Sequence, residues 1–188
     1  MKRKQSWPLI ILLCTAFFFS QIPAGHTADL SELDKVELQR MAIKQFLYEN
    51  NIDSLIKYVQ WLQKNVKYQQ DADGKDNWAS PLETLTKKFG DCEDLSFLNA
   101  EVLKLFGFTP QVVGYGHSSY AHVVCLFKIN NGNYYMFDNT RLVQTDAENL
   151  ETIAKAFAAA YHSTHFFELN YSPRVFRILY MMEVHQKA

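Results

Sequence analysis

Apolar residues recur at helical spacing from Leu30 to about Tyr68. Leu33, Val36, Leu38, Met41 and Phe46 make one series, and Ile52, Leu55, Ile56, Val59, Leu62 and Val66 make a second. Steps of three and four predict two amphipathic helices, with the polar run "ENNID" as the break between them. Their aliphatic and aromatic stripe, Trp61 included, reads as core. The polar segment "DADGKDN" then predicts a loop. It carries Asp71, Asp73 and Asp76, but Lys75 stands where the third oxygen ligand of an EF-hand loop belongs and Gly74 comes two positions early, so the pattern is a solvated turn.

The stretch "WASPLETLTKKFG" predicts a loop and a short helix from Pro81, where proline's missing N–H costs nothing. A further helix is expected from about Cys92 to Phe106, with Leu95, Leu98, Val102, Leu103 and Phe106 on one face and Gly107 as its stop. Beyond Pro110 the period changes. "QVVGYG", "AHVVCLFKI" and "YYMFD" are rich in β-branched and aromatic residues and are separated by turn residues, so they predict strands. The last third adds one helical stretch, "ENLETIAKAFAAAYH", and the apolar segments "HFFEL" and "VFRILYMMEV". Helices followed by an antiparallel sheet define an α+β class.

Length and composition bound this picture. At 188 residues and 48% hydrophobic content the chain can bury one real core, and residues 29–188 are expected to form a single domain. Residues 1–28 are expected to stand apart from it. Lys2, Arg3 and Lys4 precede an apolar run from Trp7 to Phe19, followed by "SQIPAGHTA", the pattern of a secretory signal peptide. That run falls short of the roughly 20 residues a membrane-spanning helix needs, so the mature chain is expected to have no span and to be periplasmic or secreted. Removing it takes away three basic residues and leaves 16 Lys and Arg against 20 Asp and Glu, a net charge of −4. That balance gives no electrostatic case for nucleic-acid binding.

Candidate chemistry centres on "GDCED". Cys92 sits at a helix N-terminus, whose unpaired N–H groups and partial positive charge favour a thiolate and offer donors to an oxyanion. Asp91, Glu93 and Asp94 work against this, because negative charge close to sulfur raises its pKa. Two offsets are open: the acids are consumed as helix caps, or they hold a hard divalent cation such as calcium through oxygen. A nucleophilic cysteine also needs a base and a group to orient it. His122 stands inside the strand "AHVVCLFKI", where an imidazole needs a partner. A three-residue loop at Asn130, Asn131 and Gly132 places Asp138 opposite Val124, so His122 and Asp138 become diagonal neighbours on one face at roughly 7 Å. A two-residue turn would put them on opposite faces. Cys125, at odd spacing from His122, points away from it under either turn, which argues against a Cys92–Cys125 disulfide if Cys92 faces His122.

The order W-A-S-P-L-E-T-L, F-G-D-C-E-D, Y-A-H-V-V and M-F-D-N resembles the bacterial transglutaminase-like cysteine proteinases, and within them the LapG-type calcium-dependent periplasmic proteases. The resemblance spans roughly Trp61 to Asn139. It implies a papain-like, transglutaminase-like core in which N-terminal helices and a nucleophile helix pack on an antiparallel sheet. It implies Cys92 as nucleophile, His122 as general base, Asp138 as the carboxylate that orients it, and calcium held by Asp91, Glu93 and Asp94. Trp78 is the candidate side-chain donor to the oxyanion. The activity implied is that of a cysteine endopeptidase that cleaves a large surface adhesin, controls biofilm attachment, and is sequestered by an inner-membrane receptor for cyclic-di-GMP. A transglutaminase-like acyl transferase with the same triad and a non-catalytic binding module of the same fold remain as alternatives.

Overall fold

The computed structural model describes residues 31–72, 76–118, 120–130, 132–172 and 174–182. The expected signal peptide, residues 1–28, lies outside them, as do Asp73, Gly74, Lys75 and Asn131. Helix α1 (Glu32–Glu49) and α2 (Leu55–Asn65) come first, then the two-residue β1 (Lys67–Tyr68), α3 (Pro81–Lys87) and β2 (Phe89–Gly90). Helix α4 (Cys92–Leu105) opens on Cys92 and closes through Phe106, with Gly107 at φ 84° just beyond. Strands β3 (Gln111–His117), β4 (Tyr120–Lys128), β5 (Tyr134–Asp138) and β6 (Arg141–Gln144) follow, then α5 (Leu150–Tyr161), β7 (His165–Asn170) and β8 (Val175–Met181). None of the described helices is long and apolar enough to cross a membrane.

The six longer strands form one antiparallel sheet in the order β6-β5-β4-β3-β7-β8. Period-two alternation gives it two apolar faces. Val112, Val123, Cys125, Phe127, Phe137 and Leu169 join Ile43, Leu47, Tyr58, Leu62, Leu85, Leu98 and Val102 from the helices that precede the sheet. On the other face, Val113, Tyr115, Val124, Leu126 and Phe166 pack against Ile153, Ala154 and Phe157 of α5. This is an α+β architecture with α4, the helix that opens on Cys92, laid on an antiparallel sheet.

Two readings are corrected. The α1 stripe is not core along its length: Ile43 and Leu47 are buried, whereas Leu33, Leu38 and Met41 are exposed. Helix α1 lies at the periphery and touches the rest through α3 and α4, so only its C-terminal half finds apolar partners. The segments "HFFEL" and "VFRILYM", given no element from periodicity, are β7 and β8, with β7 pairing to β3 and extending the sheet on that side.

Local chemistry explains how the site segment is presented. Ser80 Oγ accepts the Glu83 N–H (3.1 Å) and Pro81 occupies the first turn of α3. Strand β1 pairs in parallel with β2, matching Tyr68 to Gly90, and the Gln69 N–H donates to the Gly90 carbonyl at 2.9 Å. This bridge anchors the chain two residues ahead of Cys92. A side chain at position 90 would put Cβ 2.7 Å from the Asp94 Cβ, so the glycine of "GDCED" is needed for close approach rather than for an unusual backbone angle.

Candidate active site

The hairpin β4–β5 pairs Cys125 with Phe137 and Lys128 with Tyr134, the register that a three-residue connection dictates. Continuing it sets Asp138 opposite Val124, so Asp138 and His122 share a face. Their side chains meet: His122 Nε2 donates to Asp138 Oδ1 at 2.8 Å. This hydrogen bond is the first cause holding the Asp138 carboxyl below its ordinary range, against the opposing effect of burial. With Nε2 committed to Asp138, Nδ1 is the ring nitrogen left for another group. Tyr115, directly across from His122 on β3, sets its ring edge-on to the imidazole with centroids 5.6 Å apart.

Cys92 comes from α4, on the sheet face that carries Val123 and Cys125, whereas His122 and Asp138 stand at the alternate positions, on the face of Val124 and Tyr115. Its sulfur lies against the backbone N–H of Val123, the residue after His122, and that N–H favours the thiolate. The larger effects oppose it. Burial comes first and the Glu93 charge next, and together they push the thiol up to about 12. The S–H donates to Glu93 Oε2 at 3.1 Å. The thiol is thus turned toward its acidic neighbour. Cys125 is buried in the core on the α4 side, and both cysteines are free thiols.

The acids do more than cap. Asp91 is the N-cap of α4 and accepts the Asp94 N–H at 3.5 Å, while Asp94 Oδ1 accepts the Ala79 N–H at 2.7 Å. Glu93 accepts the backbone N–H of its own residue, yet burial raises its carboxyl to about 8, and burial likewise raises Asp94 to about 6 and Asp91 above its usual value. Two members of the loop read as a solvated turn contribute. Asp71 accepts the Asn77 N–H at 2.6 Å, its charge adds to the rise at Asp91 and Asp94, and Asp76 acts on Asp91 and Glu93. Asp71 and Asp76 thus act on the acids of "GDCED" from a turn whose Ala72, Asp76 and Asn77 are exposed; a count of carboxylates on both sides of α3 is the sequence signal for this.

Other neighbours carried no sequence signal. Tyr68 and Tyr120 are about half exposed and both feel the charge at Cys92. Tyr120 lies two positions from His122 on β4, hence on the same face. Trp78 packs its ring on Phe97 (5.2 Å) beneath the Arg174 guanidinium (5.4 Å), so the contacts of its ring are with those two side chains. Among the described residues, no three His, Cys, Asp or Glu side chains are arranged around a point that would hold an ion.

A helix N-terminal thiol laid on an antiparallel sheet that carries a bonded His–Asp pair is the layout of the transglutaminase-like fold. A transglutaminase-like domain family matches residues 37–165, and the chain belongs to that family. Among solved structures, the calcium-bound LapG of Legionella pneumophila is similar at 16% identity and TM-score 0.42, covering 80% of this chain and 74% of that one. The EGTA-treated form of the same protein gives 16% identity and TM-score 0.42 over 65% of this chain and 69% of that one. A candidate cysteine protease from Cytophaga hutchinsonii gives 18% and 0.40, over 85% and 61%. These likenesses are too distant to carry a function. No protein of curated function matches the chain.

Proposed function

We propose that the chain is a cysteine endopeptidase of the transglutaminase-like family. The observation that carries this is the bond from His122 Nε2 to Asp138, which leaves Nδ1 for a thiol at the adjacent backbone position. Asp138 fixes the imidazole tautomer. Rotation of the Cys92 side chain away from Glu93 brings the S–H to His122, which accepts its proton. The thiolate adds to a peptide carbonyl; the C–N bond breaks as His122 returns the proton to the leaving amine, and water hydrolyses the thioester. The backbone N–H of Cys92 at the start of α4 is the oxyanion donor. Trp78, held between Phe97 and Arg174, takes no part in this proposal.

Asp91, Glu93 and Asp94 offer oxygen alone, the donor class a hard cation takes, although their carboxylates do not converge on one point in this arrangement. These residues would hold calcium, with Asp71 and Asp76 beside them. The ion would supply positive charge that offsets the field next to the thiol. Export by the 1–28 leader is supported by Lys2, Arg3 and Lys4 ahead of the apolar run Trp7 to Phe19, and a periplasmic setting, a large adhesin as substrate, control of biofilm attachment and sequestration by a cyclic-di-GMP receptor by the resemblance of the W-A-S-P, G-D-C-E-D, A-H-V-V and F-D-N segments.

The test is cleavage of an unfolded protein substrate by the purified chain, by Cys92→Ala, and by the chain in a calcium chelator. Cleavage that needs Cys92, is lost on chelation and returns with calcium but not magnesium is the expected result. A labelled amine and a glutamine peptide in the same assay distinguish transfer: incorporation without cleavage would replace hydrolysis by acyl transfer. Proteolysis unchanged in Cys92→Ala would overturn the enzyme.

A further inference from the structure

Asp138 ends β5, and the chain turns at once through Asn139 into β6, where Asp138 pairs with Arg141. Asn139 adopts φ 54°, a left-handed conformation that costs a non-glycine residue free energy unless its surroundings enforce it. The enforcing contact comes from α4. Asn99 Nδ2 donates to the Asn139 carbonyl at 2.9 Å. Asn99 is fully buried, and its Oδ1 accepts the hydroxyl of Tyr58, also fully buried, at 2.8 Å. Because the Asn139 carbonyl can only accept, the amide is held with its NH2 toward Asn139 and its Oδ1 toward the Tyr58 hydroxyl.

Asn99 lies seven residues after Cys92, two turns along the same face of α4, about 10 Å away. One helix therefore presents the thiol at its first turn and grips the peptide after Asp138 at its third. We infer that Asn99 is a positioning residue: through the Asn139 carbonyl it fixes the β5–β6 turn, and so the direction from which the Asp138 carboxylate meets His122. This rests on the triad reading above, but its readout is the His122–Asp138 bond rather than peptide cleavage.

Deleting the amide leaves the partly buried Asn139 carbonyl without this donor and frees a strained turn to relax. The test follows hydrogen exchange at the His122 Nε2–H by proton–nitrogen NMR of the full chain, with the signal assigned through His122→Gln. Asn99→Ala is expected to speed exchange about tenfold, the effect of one buried hydrogen bond. Tyr58→Phe, which lets the amide turn, is expected to give a smaller rise of about threefold. Val102→Ala, on the same helix and in the core, is the control matched by thermal melting, and it should lower stability and leave exchange unchanged. Where Asn99→Ala does not fold, Tyr58→Phe carries the test. Unchanged exchange in the folded Asn99 or Tyr58 variant, or an equal rise in Val102→Ala, overturns the inference. Loss of protection on Asn99→Ala in a protein that cleaves nothing would retain the coupling and remove the protease.

Discussion

Replacing Glu93 by Gln isolates the charge that burdens the thiol. With the thiol at about 12, roughly one Cys92 in ten thousand is ionised at pH 8, against about one in ten at the ordinary value of 9.0. Burial, the largest cause, remains in the variant, while the Glu93 charge and its acceptance of the S–H are removed. Charges about 4 Å apart interact by about 1 kcal/mol in water and about 4 at a protein surface. Taking about 1.4 kcal/mol for this half-buried pair gives about tenfold more thiolate. A less basic thiolate attacks more slowly, by about threefold per unit, so the net gain is about threefold. The assay is iodoacetamide labelling of the calcium-free protein at pH 9.5, above the Glu93 midpoint of about 8 so that its charge is present, with Cys92 resolved by peptide mass spectrometry and fully buried Cys125 as the unreactive reference. A rate equal to or below that of the unaltered protein would refute the assignment of the burden to Glu93.

Two further outcomes are expected. Glu93 and Asp94 carry raised carboxyls, at about 8 and about 6, so the folded state binds more protons than the unfolded one above the ordinary carboxylate range. Their contribution to stability is complete below about pH 4 and is lost as pH rises through 6 and then 8; thermal melts from pH 5 to 9 should show this decline without calcium and a flatter curve with it, and a rise with pH would contradict the cluster. Gly114→Ala places a Cβ 2.1 Å from the Phe167 ring between β3 and β7, which should cost about 1–3 kcal/mol by overpacking and lower the melting temperature by about 2–10 °C; an unchanged melt would show that the ring moves freely.

The parts of this molecule that could be read from sequence are those governed by short-range periodicity. The start of α4 at Cys92 follows from a helix period and a glycine stop, while the register of β4 on β5 is that of the three-residue connection, one of the two alternatives the sequence left open. What escaped depends on distant pairings that local patterns do not encode. Asn99 looks like an ordinary polar interruption of an apolar helix until Tyr58 and Asn139, 41 and 40 residues away, are brought to it. Asp71 and Asp76 read as members of a polar turn, and their influence on Asp91, Glu93 and Asp94 is visible only once the chain brings the segments together. The α1 stripe misled for the opposite reason: Leu33, Leu38 and Met41 have helical spacing, but no element of the described fold lies against them.

The connection between β4 and β5 has an implication for how such a chain can vary. Surface loops are ordinarily where insertions and deletions accumulate at little cost. Here Lys128 pairs with Tyr134 across the tip, and the parity of the residues between them decides which face Asp138 occupies. Gain or loss of a single residue there would leave the core composition untouched and move the carboxylate away from His122. Among descendants of this gene, length changes at that tip should therefore come in pairs or be matched by a bulge, while its residue identities drift.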